Sequence, residues 1–211
     1  MTSPAFAPIA ATGFAIAFLH AALPTHWLPF VLVGRAHAWS GRRVLGVTAL
    51  AGGGHVLFTL GLGIVVTTAG LAMAPHLGEV FHQIVGGLLV LLGLFYLARQ
   101  ALRREHSHGD RTARLGGRSD AAAITGLVAM LTFSPCEAFL PLYLANVDQG
   151  WMGFALLSVM LTVGTLLAML LFTGLCLAGA DRLRLERLER YEAAVIGVVL
   201  CLLGAFVALE H

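Results

Sequence analysis

Two stretches of this chain set metal-capable side chains beside helix-breaking prolines in apolar surroundings. The first is His20 followed by Pro24-Thr25-His26-Trp27-Leu28-Pro29, and the second is Pro135-Cys136-Glu137-Ala138-Phe139-Leu140-Pro141. On an unbroken helix His20 and His26 would lie about 120° apart on the wheel. Pro24 and Pro29 each remove a backbone hydrogen bond, so the helix is expected to kink or unwind and swing both imidazoles toward one point. Pro135 and Pro141 are expected to break the second stretch in the same way. Imidazole, thiolate and carboxylate together suit nickel, cobalt, zinc or copper better than magnesium or calcium, which take all-oxygen shells. Glu137 makes the sharpest demand. A carboxylate inside an apolar run must be protonated, paired or bound to a cation, and no arginine lies within the apolar runs to pair with it.

Plainer readings stand beside these. His20 and His26 could be a hydrogen-bonded pair that locks helix packing. Cys136 could pack as a small hydrophobe, as Cys176 and Cys201 are expected to do. His55 follows Gly52-Gly53-Gly54, a run that lets another helix approach closely, and it reads equally as a ligand or a packed residue. Glu79 and His82 are three apart and share a helix face, as an entrance site or an interfacial pair. His106, His108 and Asp110 form a weak loop site or part of a solvated linker.

The elements that must hold these residues follow from composition. Of 211 residues, 58% are hydrophobic and 11% charged, with mean hydropathy +0.87, which is the balance of a membrane protein. Charged residues divide the chain into apolar windows near 6–33, 44–75, 80–98, 121–147, 149–180 and 193–209. Most reach the ~20 residues a bilayer-crossing helix needs, so six transmembrane helices are expected. Residues 1–5 carry no basic side chain and no clear cleavage site follows, so the first run is expected to be a permanent helix. There is no lysine, and all 13 basic residues fall in three places: Arg35 to Arg43, Arg99 to Arg118 and Arg182 to Arg190. With six spans these loops share one side, which the positive-inside rule makes the cytoplasm of a bacterial-type inner membrane, with both termini outside. The lipid bilayer accounts for the arginines, Arg182 to Arg190 reading as a helix end on the inner surface, so no nucleic-acid partner is expected.

The chain also repeats itself. At an offset of 111 residues, Ile84-Val85-Gly86 aligns with Val195-Ile196-Gly197, Leu91-Leu92-Gly93-Leu94-Phe95 with Leu202-Leu203-Gly204-Ala205-Phe206, and Pro24 with Pro135. Gly54-His55 falls opposite Gly164-Thr165 at an offset of 110. The unit is three helices, and an odd-numbered unit enters the membrane from opposite sides in its two copies. The expected fold is an all-α polytopic membrane protein with six transmembrane helices in a 3+3 inverted-topology repeat, helices 1 and 4 being broken by proline. Residues 1–102 form the first repeat, 103–120 a polar cytoplasmic loop and 121–211 the second repeat.

His20-x4-Thr25-His26 resembles the His-x4-Asp-His signature of the NicO and nickel/cobalt transporter group. That group falls within a broader LysE-type assemblage of duplicated three-helix proteins. The resemblance implies a polytopic carrier of divalent nickel or cobalt with the paired histidines at the selectivity site. Thr25 stands where the family has aspartate, and Glu137 is the residue that could supply a carboxylate from the other repeat. Ser134-Pro135-Cys136 with Leu140-Pro141-Leu142-Tyr143-Leu144 is similar to the Ser-Pro-Cys segment of the CcdA and DsbD proteins, which relay reducing equivalents through a cysteine of each repeat; helix 1 here has no cysteine.

The function expected is a secondary transporter of a divalent transition metal, not an enzyme. It would work by alternating access coupled to protons, because His and carboxylate ligands bind metal when deprotonated; the resemblance of the His106 and His108 loop to the His-rich loops of the family's exporters implies efflux. His20, His26 and Glu137 are the expected core of the site, with Cys136 and His55 as further ligands. The metal is substrate, and no organic cofactor is expected. A homo-oligomer or a partner subunit remains open. Two alternatives are a thiol-disulfide electron carrier of the CcdA type and an intramembrane metalloenzyme with Glu137 as general base. No nucleotide motif appears, and Gly52-Gly53-Gly54 lacks the lysine of a phosphate loop.

Overall fold

Pro24 divides the first apolar run into two helices, α1 (Phe6–Ala21) and α2 (Pro24–Ala36). Leu23, which precedes it, is extended at φ −66°, ψ 140°, the conformation that a following proline ring imposes. Proline at the first helical position costs nothing, because its missing N–H would have no partner there. Pro29 behaves otherwise than expected: α2 runs through it without ending. The first break therefore rests on Pro24 alone.

The computed structural model describes residues 6–77, 80–102, 119–134, 136 and 139–179, together with Ala194, Gly197, Val198, Cys201, Leu202, Gly204 and Ala205. Among the described residues all regular structure is helical. α3 (Gly41–Leu77) carries Pro75 near its end, and α4 (Val80–Leu102) follows. α5 (Asp120–Thr132) is capped by Ser119, whose hydroxyl accepts from the Ala122 amide. A short α6 (Leu140–Ala145), with Pro141 in its first turn, leads through a 3-10 turn (Val147–Gln149) into α7 (Gly150–Leu177). Among the described residues, three stretches are long and apolar enough to cross a bilayer: Phe6–Ala36, Gly41–His76 and Val147–Leu177. Shorter apolar helical segments are Gln83–Phe95 and Asp120–Thr132.

Packing crosses between the two halves of the chain. α1 lies along α7, and α3 lies along both α5 and α7. Ala21, Phe30, Val47, Leu127, Leu131, Ala168 and Met169 form the largest core cluster. Large apolar side chains such as Leu57, Val65, Leu91, Phe95, Val159 and Leu171 are exposed, as expected of helices that face lipid. Hydroxyls in the long helices bond to the carbonyl one turn back, as Thr48 does to Val44, Thr59 to His55 and Ser158 to Phe154, which satisfies them without water.

Glycines set the closest approach. A methyl group added to Gly93 would stand 2.7 Å from the Gly197 carbonyl oxygen, and one added to Gly204 would stand 2.7 Å from the Gly86 carbonyl oxygen. α4 therefore meets the helical residues Gly197 and Gly204 backbone to backbone, in antiparallel order. At the polar end of the bundle, Asp120 ties the start of α5 to the α2–α3 connection. It accepts from the Trp39 indole (3.1 Å), meets His37 Nδ1 (2.8 Å) and pairs with Arg43 (2.7 Å). Arg43 also covers the Trp39 ring, 4.9 Å from its centroid.

Gly93→Ala and Gly197→Ala are each expected to destabilise the protein by about 1–3 kcal/mol through overpacking. Gly87→Ala, where an added methyl meets nothing within 4 Å, should be neutral or slightly stabilising; chemical unfolding in detergent distinguishes them. Asp120 yields a pH prediction. Its carboxyl is held below the usual carboxylate range, first by the Trp39 indole and then by His37 and Arg43. A carboxyl whose pKa falls on folding contributes stability above its unfolded value and loses it as pH drops through the folded one. Asp120→Asn should therefore lower the thermal midpoint by a few degrees at pH 7, with the gap to wild type narrowing below about pH 4.

Candidate metal centre

The break at residues 22–23 brings His20, at the end of α1, against His26, in the first turn of α2. Their ring centroids are 4.4 Å apart at 66°. His55 reaches the same place from α3, its ring 5.7 Å from that of His26 at 74°. Two imidazoles on one tetrahedral ion, with metal–nitrogen bonds of about 2.0–2.1 Å, would hold their ring centres about 5 Å apart. The observed spacings bracket that value. Among the described residues, however, no group of three or more His, Cys, Asp or Glu side chains stands in metal-holding geometry. The histidines are gathered but not closed around a point.

Their hydrogen bonding is more specific than their spacing. His55 Nδ1 lies 3.3 Å from the Leu131 carbonyl oxygen, and since a carbonyl only accepts, the proton belongs on Nδ1. Nε2 then carries a lone pair, and it is buried with no hydrogen-bond partner. A backbone carbonyl fixing the far nitrogen is the usual support of a metal-ligating histidine. His20 Nδ1 is likewise buried and unpartnered. His26 Nδ1 lies 3.3 Å from the Thr25 hydroxyl. His26 and His55 are 8% and 1% exposed, so water has little access to either ring. Buried nitrogens lacking partners are costly, and a cation would satisfy those that carry lone pairs.

Trp27 holds the first break together. Its indole N–H donates to the Ala22 carbonyl (2.9 Å) while the His26 amide turns to Leu23 (3.1 Å). The ring stacks on Phe172 of α7, 5.9 Å between centroids. The second break is held from α3. Thr59, one turn beyond His55, accepts from the Cys136 amide (3.1 Å), and its own proton goes to the His55 carbonyl (2.9 Å). Sequence reasoning passed over Trp27 and Thr59. A hydroxyl four residues from a candidate histidine, on the same helix face, was the available signal for the second.

The other expected site residues fall elsewhere. Cys136 is fully buried in an apolar cluster with Ala17, Phe139, Leu142, Tyr143, Leu157 and Leu161. Cys176 packs with Trp27 and Val31, and Cys201 lies near Gly93; none of the three is in a disulfide. Glu137, Pro135, Glu79, His106, His108 and Asp110 lie outside the described residues, as does the side chain of His82.

Comparison of the chain with protein-family models, curated proteins and solved structures found no match. Among the described residues the protein is all-helical, with three stretches able to cross a bilayer and a histidine cluster where α1, α2 and α3 meet.

Trp27→Phe keeps a ring against Phe172 but removes the donor to Ala22. It is expected to cost about 0.5–1.5 kcal/mol, the net worth of a partly buried hydrogen bond, in detergent unfolding experiments. A variant as stable as its parent would mean that the carbonyl finds another donor.

Proposed function

We propose that this protein is a secondary carrier of a divalent transition metal ion, nickel- or cobalt-like in its demand for nitrogen ligands. His20, His26 and His55 bind the ion at the centre of the bundle. One observation carries the reading: the imidazoles of His20, half-buried, and of His26 and His55, both buried, converge from α1, α2 and α3, and a buried nitrogen on each of His20 and His55 has no hydrogen-bond partner. Borderline divalent metals favour imidazole. Glu137 is one residue beyond Cys136, whose amide is tied through Thr59 to His55, so the proposal keeps it as the carboxylate that balances the ion's charge. The cysteines sit in separate apolar contacts, which favours metal binding over a two-thiol relay.

The architecture we propose is six spans in two oppositely oriented units of three. Gly86 and Gly93 are the repeat equivalents of Gly197 and Gly204. The contacts run Gly93 to Gly197 and Gly204 to Gly86, each residue meeting the counterpart of its partner's equivalent. That reciprocity is what a two-fold axis between two copies produces. An ion held where the two units meet becomes open to either side as one unit rocks on the other. The Arg-bearing loops face the cytoplasm, and transport is outward, coupled to inward protons that displace the ion from its deprotonated ligands.

Sealed proteoliposomes test this with nickel, cobalt, zinc, copper and manganese, comparing wild type with His20→Ala/His26→Ala, His55→Ala and Glu137→Gln. One ion is expected to move, and each variant should slow it roughly tenfold or more, at least the effect of losing a ligand's supporting partner. If no ion moves, the carrier reading fails; if His55→Ala transports normally, the site does not include the α3 histidine.

A further inference from the structure

At the end of the bundle where α2 passes into α3, three side chains from one short segment end on a single carboxylate. His37 Nδ1 and the Trp39 indole donate to Oδ1 of Asp120 (2.8 and 3.1 Å), and Arg43 pairs with Oδ2 (2.7 Å). Asp120 is the first residue of α5. Arg35, in the last turn of α2, donates to the Cys176 carbonyl near the end of α7 (3.3 Å), where a cation also suits the helix dipole. The α2–α3 connection and the turns flanking it thus grip two helices of the second half of the chain.

The backbone between these side chains is strained. α2 stops with the Ala38 amide on the Arg35 carbonyl (3.1 Å) and the Trp39 amide on the Gly34 carbonyl (2.8 Å), the bonds of a left-handed helix stop. Ala38 takes the place that glycine ordinarily fills, at φ 51°, where its Cβ crowds the neighbouring carbonyl. The residues on either side of it, His37 and Trp39, are two of the three that hold Asp120. A turn kept in an unfavourable conformation by contacts on both flanks relaxes when those contacts go. The grip is also releasable: the Arg43 and Asp120 side chains are 43% and 44% exposed, so water can take the place of their bonds. The opposite end is closed differently. About 40 Å further along α3, Gly70 meets Leu144 and Val147, and Val147 is buried with Val85 and Leu89 of α4. Those contacts are apolar.

We propose that residues 37–43 form a latch that keeps this end of the bundle shut by gripping Asp120, and that the protein opens here when α5 is released and Ala38 leaves the left-handed conformation. The latch stands on these contacts alone; its use as a gate to the ion site rests on the carrier reading above.

The test is the rate at which a maleimide labels a single cysteine in the purified full-length protein, well below its thermal midpoint, with Cys136→Ala, Cys176→Ala and Cys201→Ala as the background. Ala123→Cys reports on the latch, because Ala123 is fully buried three residues beyond Asp120, in the cluster of Val33, Val44 and Val47. Val147→Cys, at a buried position of the opposite end, is the control. The Ala123→Cys protein should label slowly, several-fold faster once Asp120→Asn is added, and more slowly with Ala38→Gly, which removes the strain of the latched turn. None of these changes should alter the Val147→Cys rate. Arg43→Gln, which leaves His37 and Trp39 in place, should give a smaller increase and is the second variant should Asp120→Asn fail to fold. An unchanged Ala123→Cys rate with Asp120→Asn overturns the latch. So does equal acceleration at both ends, which would mean that Asp120 only stabilises the fold, and so does faster labelling with Ala38→Gly. If Ala123→Cys becomes accessible as expected while no ion moves in the proteoliposomes, the latch holds and the carrier reading is the one that fails.

Discussion

An interrupted helix inside an apolar slab exposes amides and carbonyls that water cannot reach, and the need to satisfy them organises everything around the cluster. Each such group left unpaired costs several kcal/mol in hydrocarbon. At the first break the Trp27 indole takes the Ala22 carbonyl, and the amides of Leu23 and His26 turn to His20 and Leu23. At the second, His55 and Thr59 take one group from each side. The state of His55 follows from this duty. Because its Nδ1 is committed to the Leu131 carbonyl, Nε2 is left as a lone pair in a dry interior. The nitrogen best suited to a cation is a by-product of the way a broken backbone is satisfied.

What could be read in the sequence was what depends on local chemistry. Pro24 marks the first break because a missing N–H and a restricted preceding residue act within one turn. The convergence of His20 and His26 follows from that break, and His55 joins them. Pro29 shows the limit of the same rule: with α2 packed through Trp27, Phe30, Val31 and Val33, one lost hydrogen bond is tolerated and the helix continues. Trp27 and Thr59 were not legible because their roles depend on groups that other segments bring to them, 77 residues away in the case of Thr59 and Cys136. The Asp120 contacts with His37, Trp39 and Arg43 were hidden likewise, since their partners lie more than 70 residues apart. Three spans are apparent in the long helices; the expected count of six rests on the repeat and the arginines.

Glycine placement connects the repeat to packing. Without a hydrophobic drive between helices in lipid, close association depends on van der Waals contact, and small residues permit it. Gly164 lets α7 approach α1, with an added methyl 3.0 Å from Ala17 Cβ and 3.1 Å from the Phe14 carbonyl oxygen, while Gly54 on α3 faces Thr132 of α5. α7 thus leans on α1, and α3 on α5. Exchange of this kind makes the two halves one packing unit. A movement of either break must then be answered across the interface, because tightly packed interiors are bistable rather than elastic.

The composition of the cluster bears on how firmly an ion could be held. Three imidazoles offer nitrogen lone pairs but no negative charge, and a divalent ion brought into a dry interior on neutral ligands keeps much of its desolvation penalty. At the 111-residue offset of the sequence, His26 corresponds to Glu137 and Thr25 to Cys136, so in the proposed two-unit architecture an imidazole and a carboxylate stand at matching points. On the proposed reading that pairing divides the work: the first unit selects the metal by ligand type, and the second supplies the charge that lets it stay. An ion whose ligands are split between two moving units is held tightly only while both breaks are in register. Affinity then falls whenever one unit moves, which is the behaviour expected of a site that must release what it binds, and it is absent from a cage built on a single rigid element.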